Sequence, residues 1–182
     1  MIYQSEDHFI HDRSWKNEII EDLQSVALAT DFPCSVAKKN ITTDQFFYSF
    51  CCKEQFKNYH QFVSCLLLYT NSLKDHFGNI QSQQPLVVFF DKNLNRFFRK
   101  QLNQLVWDAL AYAQTSDPTS WQKEKEATTS DEFFYFNDVQ LCLNIVDSPV
   151  KYSRGVFDKN LMLIIHPKKN NDTRTIKMKT AS

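Results

Sequence analysis

Pro85-Leu86-Val87-Val88-Phe89-Phe90-Asp91 is the stretch on which the fold turns. It is apolar without alternation and stops at a carboxylate. A strand with one wet face alternates apolar and polar residues, so an unbroken run predicts a strand covered on both faces and therefore central in its sheet. Covering both faces takes helices, and the flanking sequence supplies them. On the N-terminal side Phe56, Tyr59, His60, Val63, Leu66, Leu67, Thr70 and Leu73 recur at three- and four-residue steps from Glu54 to the loop at Gly78-Asn79. On the C-terminal side Leu94, Phe97, Phe98, Leu102, Leu105, Val106, Ala109, Leu110 and Ala113 do the same, up to Asp117-Pro118.

Further out, Trp15, Ile19, Ile20, Leu23 and Val26 predict a helix over about 13–29, ended by Pro33. After Phe32-Pro33-Cys34 a short extended segment is expected. It should pair with the aromatic run Gln45-Phe46-Phe47-Tyr48-Ser49-Phe50-Cys51, which reads as a core strand. Glu132-Phe133-Phe134-Tyr135-Phe136 and Val139-Gln140-Leu141-Cys142-Leu143-Asn144-Ile145-Val146 flank Asn137-Asp138, two residues that tolerate the left-handed backbone of a tight turn, and predict a β-hairpin. Leu161-Met162-Leu163-Ile164-Ile165 is the last strand, stopped by His166-Pro167. The order α-β-β-α-β-α-β-β-β predicts an α+β fold: a single domain over 1–182 with a mixed, mainly antiparallel sheet covered by helices. Its core spans about 13–168, and 169–182 is read as a basic, solvated and mobile tail.

Composition narrows the function classes. Hydrophobic residues are 42% of the 182 and include sixteen Phe, enough apolar surface to offset the entropy of ordering one core. Lys and Arg (21) balance Asp and Glu (21), so no basic field exists to draw in a phosphate backbone, and nucleic acid is not expected as a partner. The five cysteines, Cys34, Cys51, Cys52, Cys65 and Cys142, are odd in number and form no C-x-x-C pair. They read as free thiols of a reducing compartment. The N-terminus carries no basic-then-apolar leader, and no apolar run approaches the ~20 residues that span a bilayer. A cytoplasmic protein without membrane contact is the expectation.

No G-x-G-x-x-G, P-loop, H-E-x-x-H or G-x-S-x-G occurs, and with Gly78 and Gly155 the only glycines a glycine-built phosphate cradle is excluded. The chemistry-bearing candidates stand singly. His60 falls four residues after Phe56 and three before Val63, toward the apolar side of its helix, as a core histidine or as an imidazole ligand in an apolar pocket. His166 closes a core strand, where a side chain either caps the strand end or emerges into a site. Cys34 follows Pro33 at a loop-to-strand junction, as an inert buried thiol or as a thiolate ligand or nucleophile. Lys151 and Arg154 sit in the polar loop Ser148-Pro149-Val150-Lys151-Tyr152-Ser153-Arg154-Gly155, where either can pair with a carboxylate. His8 and His11, three apart beside Asp7 and Asp12, have a spacing that can offer two imidazoles to a metal but stand in a polar terminal segment that argues against it, and His76 reads as a surface residue.

Together these landmarks resemble the YqcI/YcgG family, which includes heme-dependent N-hydroxylases acting on guanidine groups of arginine and its derivatives. Phe32-Pro33-Cys34 is similar to the family's F-P-C, followed by the aromatic strand Phe46 to Phe50, and Leu86 to Asp91 is similar to its central strand. Trp107 with Leu110, then Asp117 and Trp121, resembles W-x-x-L followed by D-x-x-x-W. Glu132 to Asn137 resembles the W-E-F-x-F-x-G hairpin with Asn in place of Gly, and Ser148-Pro149 with Ser153-Arg154 resembles the P-A-H and R-x-S-R loop. The similarity covers about 31–168. Val150 and Lys151 follow Pro149 where the pattern has a histidine, and one arginine stands in that loop.

The resemblance implies a heme cofactor and a monooxygenase reaction, N-hydroxylation of a small guanidine- or amine-bearing, arginine-like substrate, with an electron donor as partner. Cofactor-binding candidates are then His60, His166, Cys34 and Arg154. His60 and His166 are candidates for the axial iron ligand. Lys151 and Arg154 are candidates for binding the substrate, Arg154 alternatively holding a heme propionate. Two rival readings stay open: a non-catalytic relative binding a small ligand or a partner protein, and a thiol enzyme centred on Cys34.

Overall fold

The computed structural model describes residues 2–4, 15–28, 32, 34–51, 59–75, 80–91, 93–94, 101–119, 133–147 and 161–168. They form a six-stranded sheet with two helices on each face. In chain order the elements are β1 (Tyr3–Gln4), α1 (Trp15–Ala27), α2 (Ser35–Thr42), β2 (Phe47–Cys51), α3 (His60–Ser72), β3 (Leu86–Phe90), α4 (Leu102–Thr115), β4 (Phe133–Phe136), β5 (Val139–Asp147) and β6 (Leu161–Pro167). The strand order is β1-β2-β3-β6-β5-β4. β2 and β3 run parallel, with α3 as their crossover, and every other neighbouring pair is antiparallel.

β3 lies between β2 and β6, and Leu86 to Phe90 are all fully buried, as an unbroken apolar run requires. Side chains alternate between two cores. Leu86, Val88 and Phe90 join Phe47, Cys51, Leu161, Leu163 and Ile165 beneath α3 and α4. Val87 and Phe89 join Phe46, Tyr48, Phe50, Met162 and Ile164 beneath α1 and α2. Phe50 stacks on Phe89 with ring centroids 5.5 Å apart, and Phe47 meets Tyr69 edge-on at 5.8 Å. The Tyr69 hydroxyl, in a fully buried side chain, reaches the carbonyls of Gln84 (2.8 Å) and Ile165 (3.2 Å), so α3 is fastened to the segment that leads into β3 and to β6.

The hairpin forms as the sequence predicts. Asn137 and Asp138 both take left-handed backbone angles (φ 52° and 58°) between paired β4 and β5. Asn137 is also a buried junction. Its amide donates to the Thr70 hydroxyl (3.0 Å) and the Asn71 side-chain oxygen (2.8 Å). Its backbone N–H donates to the Asp117 carboxylate (3.0 Å), and Lys74 donates to its carbonyl. Asp117 further accepts from the N–H and hydroxyl of Thr119, so the ends of α3, α4 and the hairpin meet on satisfied polar groups.

Three expectations are corrected. The stripe from Leu94 to Ala113 is not one helix: Gln101 takes an extended backbone (φ −68°, ψ 149°) and α4 begins at Leu102. The segment after Cys34 is not an extended strand paired with the aromatic run. It is the eight-residue helix α2, in which Ala37 and Ile41, one turn apart, are fully buried. The aromatic strand β2 pairs instead with β1 and β3. The last strand does not stop before His166 but runs through Pro167, with His166 paired to Cys142 and Pro167 to Leu141. The stretches 52–58, 95–100, 148–160 and 169–182, which contain Lys151, Arg154, the first turn expected of the α3 helix and the predicted tail, lie outside the described residues.

A candidate site where Cys34 meets His166

Strand parity decides where His166 points. Met162 and Ile164 face the α1/α2 layer, so the next residue of the same parity, His166, faces it too. On that side α2 begins, and Cys34 is its N-cap, with extended backbone (φ −131°, ψ 107°). The Cys34 Sγ accepts the Ala37 N–H at 3.4 Å, the bond a serine or aspartate makes at this position. The Cys34 thiol and the His166 imidazole, 132 positions apart in the chain (166 − 34), come close enough at this point to set each other's charge. The imidazole Nδ1 lies 3.2 Å from the Pro167 carbonyl oxygen.

The electrostatics of this pair are mutual. Burial pushes the Cys34 thiol up, but His166, by hydrogen bond and by charge, together with the Ala37 and Val36 N–H groups, outweighs it and holds the thiol below its ordinary value. Burial likewise lowers His166, and the Cys34 hydrogen bond and charge, with the Pro167 carbonyl, more than reverse this and raise it. The pair therefore leans toward thiolate and imidazolium. Such a thiolate can ligate a soft metal centre or attack an electrophile, and the imidazolium can orient or protonate what binds beside it. Cys142 stands opposite His166 in the β5–β6 ladder, on the same face, and both are half-buried.

The structure thus joins two of the sequence-derived candidates and separates the third. His60 was expected to turn toward the apolar side of its helix, but it is the first residue of α3 and is exposed. The inward face is set by Phe62, Cys65, Leu66 and Tyr69, and a residue two positions before Phe62 stands about 200° round the helix from it. The ring meets the Tyr112 hydroxyl at 3.1 Å, on the opposite side of the sheet from Cys34, without the apolar enclosure on which its ligand reading rested. Cys34, Cys51, Cys65 and Cys142 form no disulfide. Among the described residues no three His, Cys, Asp or Glu side chains are placed to hold a metal ion, and no helix is long and apolar enough to cross a membrane.

The helix that makes Cys34 an N-cap was not read from the sequence, although a signal was present: a sulfur-bearing residue followed at i+3 and i+7 by Ala37 and Ile41 is a short helical stripe. Compared with known proteins, the chain matches the model of the YqcI/YcgG family over residues 21–178. No curated protein and no solved structure matches it.

Proposed function

Because the chain belongs to the YqcI/YcgG family, we propose that it is a heme-dependent oxygenase that N-hydroxylates a small guanidine- or amine-bearing, arginine-like metabolite with electrons from a separate donor. The observation that carries this reading is the approach of His166, at the end of β6, to Cys34, the cysteine of Phe32-Pro33-Cys34. The donor chemistry fits an iron porphyrin: an axial thiolate needs a sulfur held deprotonated by N–H donors, and Cys34 has the Ala37 N–H and the imidazole of His166. Heme, when bound, supplies the oxygen activation. The protein's own part is to hold the Cys34 sulfur at the head of α2, to keep the His166 ring oriented through Cys34 and the Pro167 carbonyl, and to place a proton-bearing group beside the sulfur.

Titration of the purified chain with hemin tests it. The expected outcome is a saturable, stoichiometric Soret band. Its reduced, CO-bound position distinguishes thiolate from imidazole ligation, and the band is lost or shifted in Cys34→Ser or His166→Ala. A band unchanged by both substitutions refutes the ligand assignment. The absence of any saturable band turns the reading to a non-catalytic relative that binds a small ligand or a partner protein, which the sequence departure after Pro149 favours.

A second reading rests on the same pair used without heme, as a thiol nucleophile. A thiol lowered by a neighbouring imidazole at a helix N-cap is the arrangement that activates cysteine. It predicts rapid single-site alkylation at Cys34 at neutral pH. Slow labelling, or labelling spread over all five cysteines, ends that reading.

A further inference from the structure

Across the sheet from Cys34 and His166, the parallel β2–α3–β3 unit encloses a cavity of about 280 Å³. Its walls are Ser49 and Cys51 from the carboxyl half of β2, Gln61, Phe62 and Cys65 from the first two turns of α3, and Val88 from β3. The cause of the cavity is local. β2 reads Phe47-Tyr48-Ser49-Phe50-Cys51, so the side of the strand under α3 carries one ring and then two small residues, and the α3 residue meeting them is a third small one, Cys65. Small side chains from two elements face each other in a core otherwise packed with rings.

The chemistry of the walls is specific. The Ser49 hydroxyl, in a residue only 4% exposed, lines the cavity beside the Cys65 thiol, which burial pushes up. Among the described residues that line it none carries a charge, and one, Gln61, is exposed. The volume is nearly twice the ~150 Å³ of an apolar cavity that holds benzene and at the lower end of the ~300–1,000 Å³ of drug-sized pockets, so one substituted ring fills it and a porphyrin does not fit. The position is the one where open α/β sheets take ligands, beside the carboxyl end of a parallel strand and the start of the helix that follows it. Tyr59 enters that helix with a left-handed backbone (φ 39°), unfavourable for an aromatic residue.

We propose that this cavity is a second binding site, distinct from the Cys34–His166 pair, for a small uncharged molecule about one substituted ring in size, oriented by a hydrogen bond to Ser49.

Phenol, with toluene as its apolar control, probes the site in the full chain by amide NMR and thermal melting. Phenol is expected to bind saturably, to raise the melting temperature, and to shift the amides of Ser49, Cys65 and Val88. Ser49→Ala removes one oxygen and is expected to weaken phenol about tenfold, the effect of one neutral hydrogen bond, while leaving toluene within about twofold. Val88→Ile adds one methylene to the wall and is expected to weaken both probes. Circular dichroism checks that both variants fold. The proposal is overturned if phenol does not saturate the wild-type chain, if Ser49→Ala binds phenol as tightly as wild type or loses toluene equally, or if the shifts cluster away from β2 and α3.

Discussion

The two faces of the sheet are built on different principles. Beneath α3 and α4 the packing is dominated by rings and branched chains, with Tyr69, Phe62, Phe90 and Phe136 all buried and the Tyr69 and Thr70 hydroxyls and the Asn137 amide N–H groups hydrogen-bonded. Beneath α1 and α2 the core is smaller, and at the end of β6 it gives way to Cys34, His166 and the half-buried Cys142. The first face ties α3, α4 and the hairpin to the sheet. The second brings a thiol and an imidazole together at the edge of a core, where they set each other's charge. One sheet can do both because alternate residues of each strand belong to opposite faces.

If that division holds, substitutions on the first face cost stability and those on the second cost chemistry. Phe90→Ala, at a fully buried ring between Phe62 and the β6 ladder, is expected to lose about 3–5 kcal/mol in denaturant unfolding, the largest effect of any change considered. Asn137→Ala removes the bonds to Thr70 and Asn71 and leaves a left-handed backbone without a residue suited to it. A loss of about 1–3 kcal/mol is expected, with Asn137→Gly recovering the backbone share and not the amide share. A neutral result for Asn137→Ala would mean that the hairpin is not tied to α3 as described.

The second face is expected to answer differently. Cys34→Ser keeps an N-cap acceptor for the Ala37 N–H, so its loss in unfolding free energy should stay at about 1 kcal/mol, well below that of Phe90→Ala, while thiol reactivity at this position disappears. A large loss of stability would place Cys34 in the first class. The smallest effect, and the most diagnostic, is a shift in pH profile. The Cys34 thiol sits below its unfolded value, so the stabilisation from its thiolate is present above the unfolded thiol pKa and is lost as pH falls through the folded value. His166 sits above its unfolded value, so its contribution is complete below the unfolded imidazole pKa and is lost as pH rises through the folded value. The alkylation rate of Cys34 against pH is therefore expected to have its midpoint below that of an ordinary thiol, and His166→Ala should move that midpoint upward. An unmoved midpoint would separate the two residues chemically despite their contact.

Much of the first face was legible in the sequence because it is made of long, strongly periodic segments. The α3 and α4 stripes, the unbroken run of β3 and the Asn137-Asp138 turn each carry their signal within a window of a few residues. The second face was legible only in pieces. Cys34 and His166 were singled out separately, yet α2 was read as extended, since in a stretch of eight residues behind a proline two turns of helix and a short strand leave nearly the same apolar pattern. His60 was placed on the wrong side because its helix was phased from Phe56, whereas the buried face is phased from Phe62.

By itself the sequence determined the fold class, the central strand, the principal helices, the hairpin and the family, all consequences of local periodicity, turn chemistry and short motifs. Only the tertiary structure decided that β6 inserts between β3 and β5, that its parity turns His166 toward the head of α2, and that Cys34 waits there as an N-cap. The physical reason is range: a thiol and an imidazole set each other's charge only at contact distance, and no local pattern encodes a contact between residues that the sheet brings together from opposite ends of the chain.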